Sequence, residues 1–182
     1  GGADAEESLL PRLQAIVEPQ VAQISRFVSD LLELSQVSPG TLNLERTVVD
    51  MAAIIDEAVA ASRVCMDTRL QHFELHLPKC ALEVHGDPVR LAQVVRNLLD
   101  NASKFTPEGG RITLAVEVVG DTLVMTVSDT GIGITAEVLP LLFKPFVQDI
   151  RAIGYSGVGL GIGLTVVRAL VEGHGGSVVA RS

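Results

Sequence analysis

The chain has 182 residues, of which 47% are hydrophobic and 20% charged, with a formal net charge of −8 at pH 7. This length and apolar content predict one well-filled domain with an additional element, because apolar burial on this scale offsets the entropy of ordering the chain. The acidic balance disfavours a nucleic acid partner, and no apolar stretch reaches the roughly 20 residues of a membrane span. We therefore expect neither nucleic acid binding nor membrane contact from these residues.

Both the N-terminus and the cysteines point to a cytosolic protein. The first residues contain no cationic region and no apolar core, so we interpret them as the edge of a larger protein rather than a signal peptide. Cys65 and Cys80 lack the spacing of a zinc site. We expect both thiols to be buried or half-buried in a reducing cytosol.

The first predicted element is a long amphipathic helix that starts near Leu10. Five apolar residues in it are spaced 4, 3, 4 and 3 apart: Val17, Val21, Ile24, Val28 and Leu31. Such a narrow seam is typical of a helix in a bundle, although a helix lying on its own domain is the alternative. Pro19 falls inside the pattern and should kink or interrupt the helix.

A domain boundary is predicted at Ser38-Pro39-Gly40, because Pro and Gly together favour a turn. This divides the chain into residues 1–40 and 41–182. Leu42 and Leu44 alternate as a short strand, and Asp50 is expected to cap a helix from Met51 to about Cys65.

The remaining pattern mixes strands with helices. Strands are predicted at 73–77 and 81–84, a helix from Pro88 to Phe105 capped by Asp87, and a hairpin of 111–119 with 122–129 around Gly120-Asp121. A short helix near 136–142, a helix from about 160 to 172 and a strand from 177 complete the chain. This mixture predicts an α+β fold, a two-layer α/β sandwich preceded by a long helix.

One face of the helix that ends at Phe105 carries three polar side chains. Asn97, Asn101 and Lys104 follow one another at spacings of four and three residues, which places them on the same face. The carbonyl oxygen of Asn101 is suited to Mg²⁺, and Lys104 is suited to neutralising phosphate charge. From this helix alone, an ordinary exposed polar face is an equal alternative.

A second candidate is Asp129, which ends an apolar strand and is followed by Gly131 and Gly133. The glycines permit close approach of the backbone to a ligand. An ionised carboxylate only accepts hydrogen bonds, so Asp129 favours the amino group of adenine over the carbonyl of guanine. An Asp-Thr-Gly turn without such a role is common, so this signal is weak alone.

A third candidate is the alternating series Gly157, Gly159, Gly161 and Gly163, which opens the last major helix. Backbone amides at a helix N-terminus can surround phosphate oxygens when no side chain intervenes. Tight helix packing explains one or two such glycines but hardly four. Neither the P-loop nor the dinucleotide-binding motif occurs in the chain.

In this order, the segments resemble the N, G1, F and G2 boxes of the sensor histidine kinase catalytic domain. The matches are Asn97–Thr106, Asp129–Gly133, Phe143–Phe146 and Gly159–Leu164. Any one box is unremarkable, but four in order across about half the chain are specific. The resemblance implies the Bergerat-type ATP-binding fold shared with gyrase, MutL and a heat-shock chaperone.

The resemblance also implies a role for each matched residue. Asn101 would hold Mg²⁺, Asp129 the adenine amine, Lys104 the phosphates, and Asn97 together with Lys104 would be catalytic. Phe143 and Phe146 would anchor a mobile lid that runs to about Gly157, although a lone Phe pair is more often core than hinge. The implied nucleotide contacts are Asn101, Lys104, Phe105, Asp129, Gly131, Gly133, Ile134, Phe146, Gly157, Gly159, Leu160, Gly161, Gly163 and Leu164.

Residues 1–40 are similar to the second helix of the family's dimerisation and phosphotransfer hairpin. This implies homodimerisation through that helix and a response regulator receiver domain as partner. No histidine fits the phosphoacceptor pattern H-E-x-x-N-P, and His174 is expected at a helix C-terminus, where positive charge is favourable. Residues 41–182 are expected to lack the family's last strand.

The amide of Asn97 bears on the reaction. The ATPases of the superfamily place a Glu at this position to activate water, and an amide cannot act as a general base near neutral pH. The resemblance therefore favours transfer of the ATP γ-phosphoryl to a histidine outside this chain, followed by relay to a response-regulator Asp. A non-catalytic nucleotide-sensing or dimerisation module and a superfamily ATPase are the alternatives. The implied location is cytoplasmic, in a parent that is membrane-anchored or soluble.

Overall fold

The computed structural model describes residues 3–37, 42–152 and 159–182, with the side chains of α1 from residue 14 onward except at residues 16 and 26. The helices are α1 (Ala3–Gln36), α2 (Met51–Thr68), α3 (Pro88–Phe105) and α4 (Gly163–Gly173). The strands are β1 (Thr47–Asp50), β2 (His72–His76), β3 (Glu83–Gly86), β4 (Arg111–Val119) and β5 (Thr122–Asp129). In the described part of the stretch between β5 and α4, Leu139–Leu141 form a 3₁₀ turn and residues 150–152 are helical.

The strands form two sheets. β4 is the centre of a three-stranded sheet, parallel to β2 and antiparallel to β5, while β1 and β3 form a separate antiparallel pair. Helices α2 and α3 cover the sheets, and the core between the layers is aliphatic. Its fully buried side chains include Ile55, Leu99, Ile112 and Leu114. The predicted α+β fold with helix and sheet layers is confirmed.

A second apolar cluster positions the segment that precedes α4. Val166, Val167 and Leu170 of α4 are fully buried, and they pack with Val94 of α3 and with Val37 just after α1. Ile162, the residue before α4, is 2% exposed in the same cluster. These buried apolar contacts of Ile162 and α4 therefore hold the glycine-rich segment, residues 159–163 in the described part of the chain, against α3.

Both predicted aspartate caps are confirmed. The carboxylate of Asp50 accepts a hydrogen bond from the Ala52 backbone N–H, and Asp87 accepts from the N–H groups of Val89 and Arg90. Burial of Asp87 opposes its ionisation, but hydrogen bonds from the backbone, led by Arg90, hold its pKa below the usual range. The carboxylate therefore stays ionised at the positive end of α3.

Pro19 does not interrupt α1, which runs unbroken for 34 residues. A proline inside a helix removes one hydrogen bond and costs about 3 kcal/mol. The predicted interruption at Pro19 is therefore wrong, while the alternative, a kink at this residue, stays a prediction. The predicted boundary at 38–40 lies outside the described residues, and the division of the chain there stays a prediction.

Three weaker predictions also need correction. Leu42 and Leu44 do not form a strand but lie against Gly173 at the end of α4. The helix predicted at 136–142 is reduced to the 3₁₀ turn, and no strand starts at Ser177 within the described residues.

The two cysteines are exposed, contrary to the prediction. The sulfur of Cys65, in α2, lies 3.7 Å from the hydroxyl oxygen of Ser103 in α3. None of the described helices combines the length and the hydropathy needed to cross a bilayer.

Candidate functional site

The polar face of α3 lies opposite the glycine-rich segment, as its spacing predicts. The side-chain amide of Asn97 is 3.5 Å from the carbonyl oxygen of Gly163. The amide nitrogen of Asn101 would be 3.7 Å from a Cβ on Gly163, and Nζ of Lys104 would be 3.1 Å from a Cβ on Gly159. The structure thus brings together two segments that are separated by about 60 residues in the sequence.

Glycine is required in this segment for steric reasons. Gly161 has φ +68°, and a Cβ there would lie 2.6 Å from the carbonyl oxygen of Val147. The side-chain amide of Gln148 donates a hydrogen bond to the Gly159 carbonyl oxygen. Helix α4 begins at Gly163 rather than near Leu160, because the left-handed backbone of Gly161 cannot belong to the helix.

The loop after β5 is attached to the C-terminal end of α3. The backbone N–H of Ile132 donates to the carbonyl oxygen of Phe105 at 3.1 Å, and a Cβ on Gly131 would be 2.6 Å from that oxygen. Oδ1 of Asp129 accepts from the Gly131 N–H at 2.8 Å. Among the described residues, the other carboxylate oxygen of Asp129 accepts no hydrogen bond and is exposed. It is therefore available to a donor outside the protein.

Four further predicted contacts, Gly133, Ile134, Leu160 and Leu164, lie in the described part of the chain. Gly133 has φ +68°, and the N–H of Ile134 donates to the hydroxyl of Ser182 at 2.7 Å. Leu160 and Leu164 are half-buried beside the polar face of α3. The predicted contact at Gly157 lies outside the described residues.

The two phenylalanines of the Phe143–Phe146 segment differ in environment. Phe143 is half-buried, whereas Phe146 is 60% exposed and has a φ of +64°, which is unusual for a non-glycine residue.

Phe105 contacts Lys104, whose Nζ lies 5.0 Å from the ring centroid. Arg151, the only arginine between Phe146 and Gly157, pairs with Asp149, with 3.3 Å between Nη2 and Oδ2.

Hydrogen bonds to Asp149 have a marked electrostatic effect. The side chain and the backbone N–H of Arg151 donate to its carboxylate, and so does the N–H of Thr135. These interactions lower the pKa of Asp149 to about 2. The carboxylate therefore remains ionised across the whole range in which the protein would be assayed.

Asn101 is the predicted metal ligand, and its surroundings fit that role. Its side chain is half-buried at the polar face, and among the described residues its amide makes no hydrogen bond. One amide oxygen is a sparse ligand set, but Mg²⁺ usually takes most of its ligands from water and substrate phosphates. Elsewhere in the described part of the chain, no group of three His, Cys, Asp or Glu side chains could hold a metal.

A cleft of about 460 Å³ opens beside this face, between α1, α2, α3 and the glycine-rich segment. Lys104, Gly159 and Gly163 line it together with Arg69 and Asp100. Burial raises the pKa of Asp100, partly offset by the hydrogen bond from Ser62 and the charge of Arg96. The cleft thus extends the polar face towards α1.

His174 lies at the C-terminus of α4, as predicted, and both of its ring nitrogens make hydrogen bonds. Its Nδ1 is 2.7 Å from the Leu170 carbonyl oxygen, and its Nε2 accepts the backbone N–H of Asp87 at 3.0 Å. Nδ1 must therefore carry the proton while Nε2 carries none. The ring therefore links the end of α4 to Asp87, the residue that caps α3.

Sequence motifs did not reveal Arg69 and Gln71, whose side chains bind the last turn of α3. Gln71 donates to the carbonyl oxygens of Ser103 and Thr106, and Arg69 donates to those of Ser103 and Lys104. In the sequence, the only sign of this role was that Gln71 is a polar residue directly before the alternating strand 72–76.

This architecture defines a nucleotide-binding site of two facing segments, and comparison with known proteins gives its class. Residues 86–182, more than half of the chain, match the model of the histidine kinase-, DNA gyrase B-, and HSP90-like ATPase family. The chain belongs to this family.

Comparison with individual proteins shows which members of this family the chain resembles. Over 86% of its length, the chain is 37% identical to the histidine protein kinase DivJ of Caulobacter vibrioides, but it covers only 26% of that protein. The solved histidine kinase AdeS of Acinetobacter baumannii is 29% identical with a TM-score of 0.68, covering 91% of this chain and 82% of that one. The chain therefore contains an ATP-binding catalytic domain of the two-component histidine kinase type.

One more solved structure shares the fold. Histidine kinase ThkA, in complex with response regulator protein TrrA, is 22% identical with a TM-score of 0.70 and covers 92% of this chain and 45% of that one. At this identity the likeness concerns the fold alone. The predicted family and fold are confirmed.

Proposed function

We propose that this chain transfers the γ-phosphoryl group of Mg²⁺-ATP to a histidine outside residues 1–182, for relay to an aspartate of a response regulator. The observation that carries the proposal is the alignment of Asn97, Asn101 and Lys104 along α3, facing the glycine-rich segment. This geometry lets cationic and backbone groups approach the phosphates from two sides.

The roles of the individual residues follow from their chemistry. Lys104 neutralises phosphate charge, Asn101 supplies one oxygen to Mg²⁺, and the exposed oxygen of Asp129 accepts from the adenine amine. Bound Mg²⁺ would supply neutralisation of the developing charge on the phosphates. Asn97 orients groups at the γ-phosphate without serving as a base, because an amide does not take up a proton near neutral pH.

The N-terminal helix supports the remaining parts of the proposal. Val17, Val21, Ile24, Val28 and Leu31 of its seam are each 49% to 61% exposed. An exposed apolar stripe of this periodicity fits a helix bundle, so we infer that residues 1–40 pair with a second copy and with the acceptor helix. The cytosol is the proposed location, because response regulators and ATP meet there.

Phosphotransfer tests the proposal. The chain is incubated with ATP labelled at the γ-phosphate, alone and with a separately produced acceptor helix that contains the phosphoacceptor histidine of a relative. We expect no stable label on the chain alone and acid-labile phosphohistidine on the acceptor. The Asn101→Ala variant should reduce this label strongly, whereas Asn43→Ala, on the linker, should leave it unchanged.

Two outcomes would contradict the proposal. Stable label on the chain alone would mean that one of its own residues is the acceptor. Steady release of inorganic phosphate without labelling of any acceptor would favour the ATPase alternative.

A further inference from the structure

The last turn of α3 is held by side chains that come from the turn between α2 and β2. We propose that Gln71, assisted by Arg69, is a positioning residue for nucleotide binding, which fixes the backbone on both sides of Lys104 and Phe105. The inference rests on the proposed function, since it concerns the same site.

The side chain of Gln71 is fully engaged and 6% exposed. Its Nε2 donates to the carbonyl oxygens of Ser103 at 2.9 Å and Thr106 at 2.8 Å, and its Oε1 accepts from the hydroxyl of Ser103 at 2.8 Å. A glutamine amide offers two donors on one nitrogen, and both are used here. The two bonded carbonyls belong to the residues that flank Lys104 and Phe105.

Arg69 completes the capping of α3. The last four carbonyls of a helix have no partner inside the helix. Here the Thr106 N–H binds the first of them, on Ala102, and Nη1 of Arg69 binds those of Ser103 and Lys104. The N–H of Ile132 binds the fourth, on Phe105. Side chains from outside the helix thus replace the usual C-terminal glycine.

The turn that presents Arg69 and Gln71 is itself fixed. The N–H of Gln71 donates to the Met66 carbonyl oxygen at 2.9 Å, and the Arg69 carbonyl oxygen accepts from Gly109 at 3.2 Å. Leu70 between them has a φ of +51° although it is not a glycine. A residue persists in this region only when its surroundings over-determine the backbone, so the turn is a rigid support.

Both halves of the nucleotide site depend on this support. Lys104 extends from the clamped turn towards Gly159, on the phosphate side. The carbonyl oxygen of Phe105 holds Ile132, in the loop that carries Asp129 on the adenine side. Releasing the turn would therefore move both groups relative to each other, and not only reduce stability.

The test compares Gln71→Leu with Gln93→Leu in the whole chain. Leucine keeps the bulk of glutamine but removes its hydrogen bonds. Gln93 is also 6% exposed and lies in α3, but among the described residues its side chain bonds to Arg90 alone, near the start of that helix. ATP affinity is measured by calorimetry, the urea unfolding midpoint by circular dichroism, and hydrogen exchange of the Ile132 amide by NMR in the absence of nucleotide.

We expect both variants to lower the unfolding midpoint, and only Gln71→Leu to weaken ATP binding, by about tenfold. The Ile132 amide should also exchange faster in Gln71→Leu alone. If the two variants bind ATP equally well, or if Ile132 is equally protected in both, Gln71 is merely structural and the inference is wrong. Wild-type chain that binds no ATP would instead overturn the proposed function.

If Gln71→Leu does not fold, Arg69→Met replaces it, with Arg90→Met as its control. Both arginines are half-buried, and each donates to oxygens that belong to α3 or border it. The same selective loss of ATP affinity is expected from Arg69→Met. Equal ATP affinities of Arg69→Met and Arg90→Met would refute the proposal that Arg69 and Gln71 position the last turn of α3.

Discussion

Replacing Asp129 with Asn should weaken ATP binding by about 1 to 3 kcal/mol, because the adenine amine then meets a donor instead of an acceptor. The asparagine oxygen can still accept the N–H of Gly131, so the loop should keep its shape. The change is therefore limited to the side-chain atom that faces the base.

Calorimetric titration with ATP measures this effect, and Asp121→Asn is the matched control. Asp121 is an exposed aspartate in the turn between β4 and β5, at the other end of β5 from Asp129. The same loss of charge there should leave ATP affinity unchanged. Unchanged affinity of the Asp129→Asn variant would disprove the adenine assignment.

Replacing Asn101 with Ala should weaken binding of Mg²⁺-ATP at least about tenfold, since loss of even an outer partner of a metal ligand usually costs that much. Binding of metal-free ATP should change far less, because the contact proposed for this amide is with the metal and not with the base. ATP is titrated into each protein once in the presence of Mg²⁺ and once in the presence of a chelator. The two titrations give the affinity for Mg²⁺-ATP and the affinity for metal-free ATP separately.

Asn97→Ala is the control for this comparison. Its amide lies one turn earlier on the same face and contacts the Gly163 carbonyl oxygen. We expect this variant to affect binding with and without metal to the same extent. If Asn101→Ala behaves in the same way, Asn101 is not a metal ligand.

Local sequence chemistry was sufficient for the elements that carry the site. An aspartate that caps a helix acts on backbone N–H groups two or three positions away in the sequence. The two residues of a turn between alternating strands are equally local in their effect. The start of α3 at Pro88 and the strands 111–119 and 122–129 could therefore be predicted to the residue. The helical period also placed Asn97, Asn101 and Lys104 on one face, although their roles stay predictions.

Contacts between distant segments could not be predicted in this way. Gln71 and the carbonyls it binds are 32 and 35 residues apart, and Arg46 binds the Gly173 carbonyl oxygen across 127 residues. Nothing in the spacing of polar residues specifies such a partner. The same applies to Leu42 and Leu44, whose alternation suggested a strand but whose partner is the end of α4.

The exposed cysteines show a related limit. Cysteine is usually buried, so composition alone predicted buried thiols. Cys65 belongs to α2, whose buried face is defined by residues such as Ile55, Ala58 and Met66. The position of Cys65 relative to that face, rather than its residue type, determines its exposure.

The most direct test of the central claim is the binding of Mg²⁺-ATP to this chain, measured by calorimetry beside Mg²⁺-GTP. The facing segments 97–104 and 159–163, with the acceptor-only carboxylate of Asp129, predict one ATP per chain and markedly weaker binding of GTP. No binding of ATP, or equal binding of ATP and GTP, would contradict this account of the site.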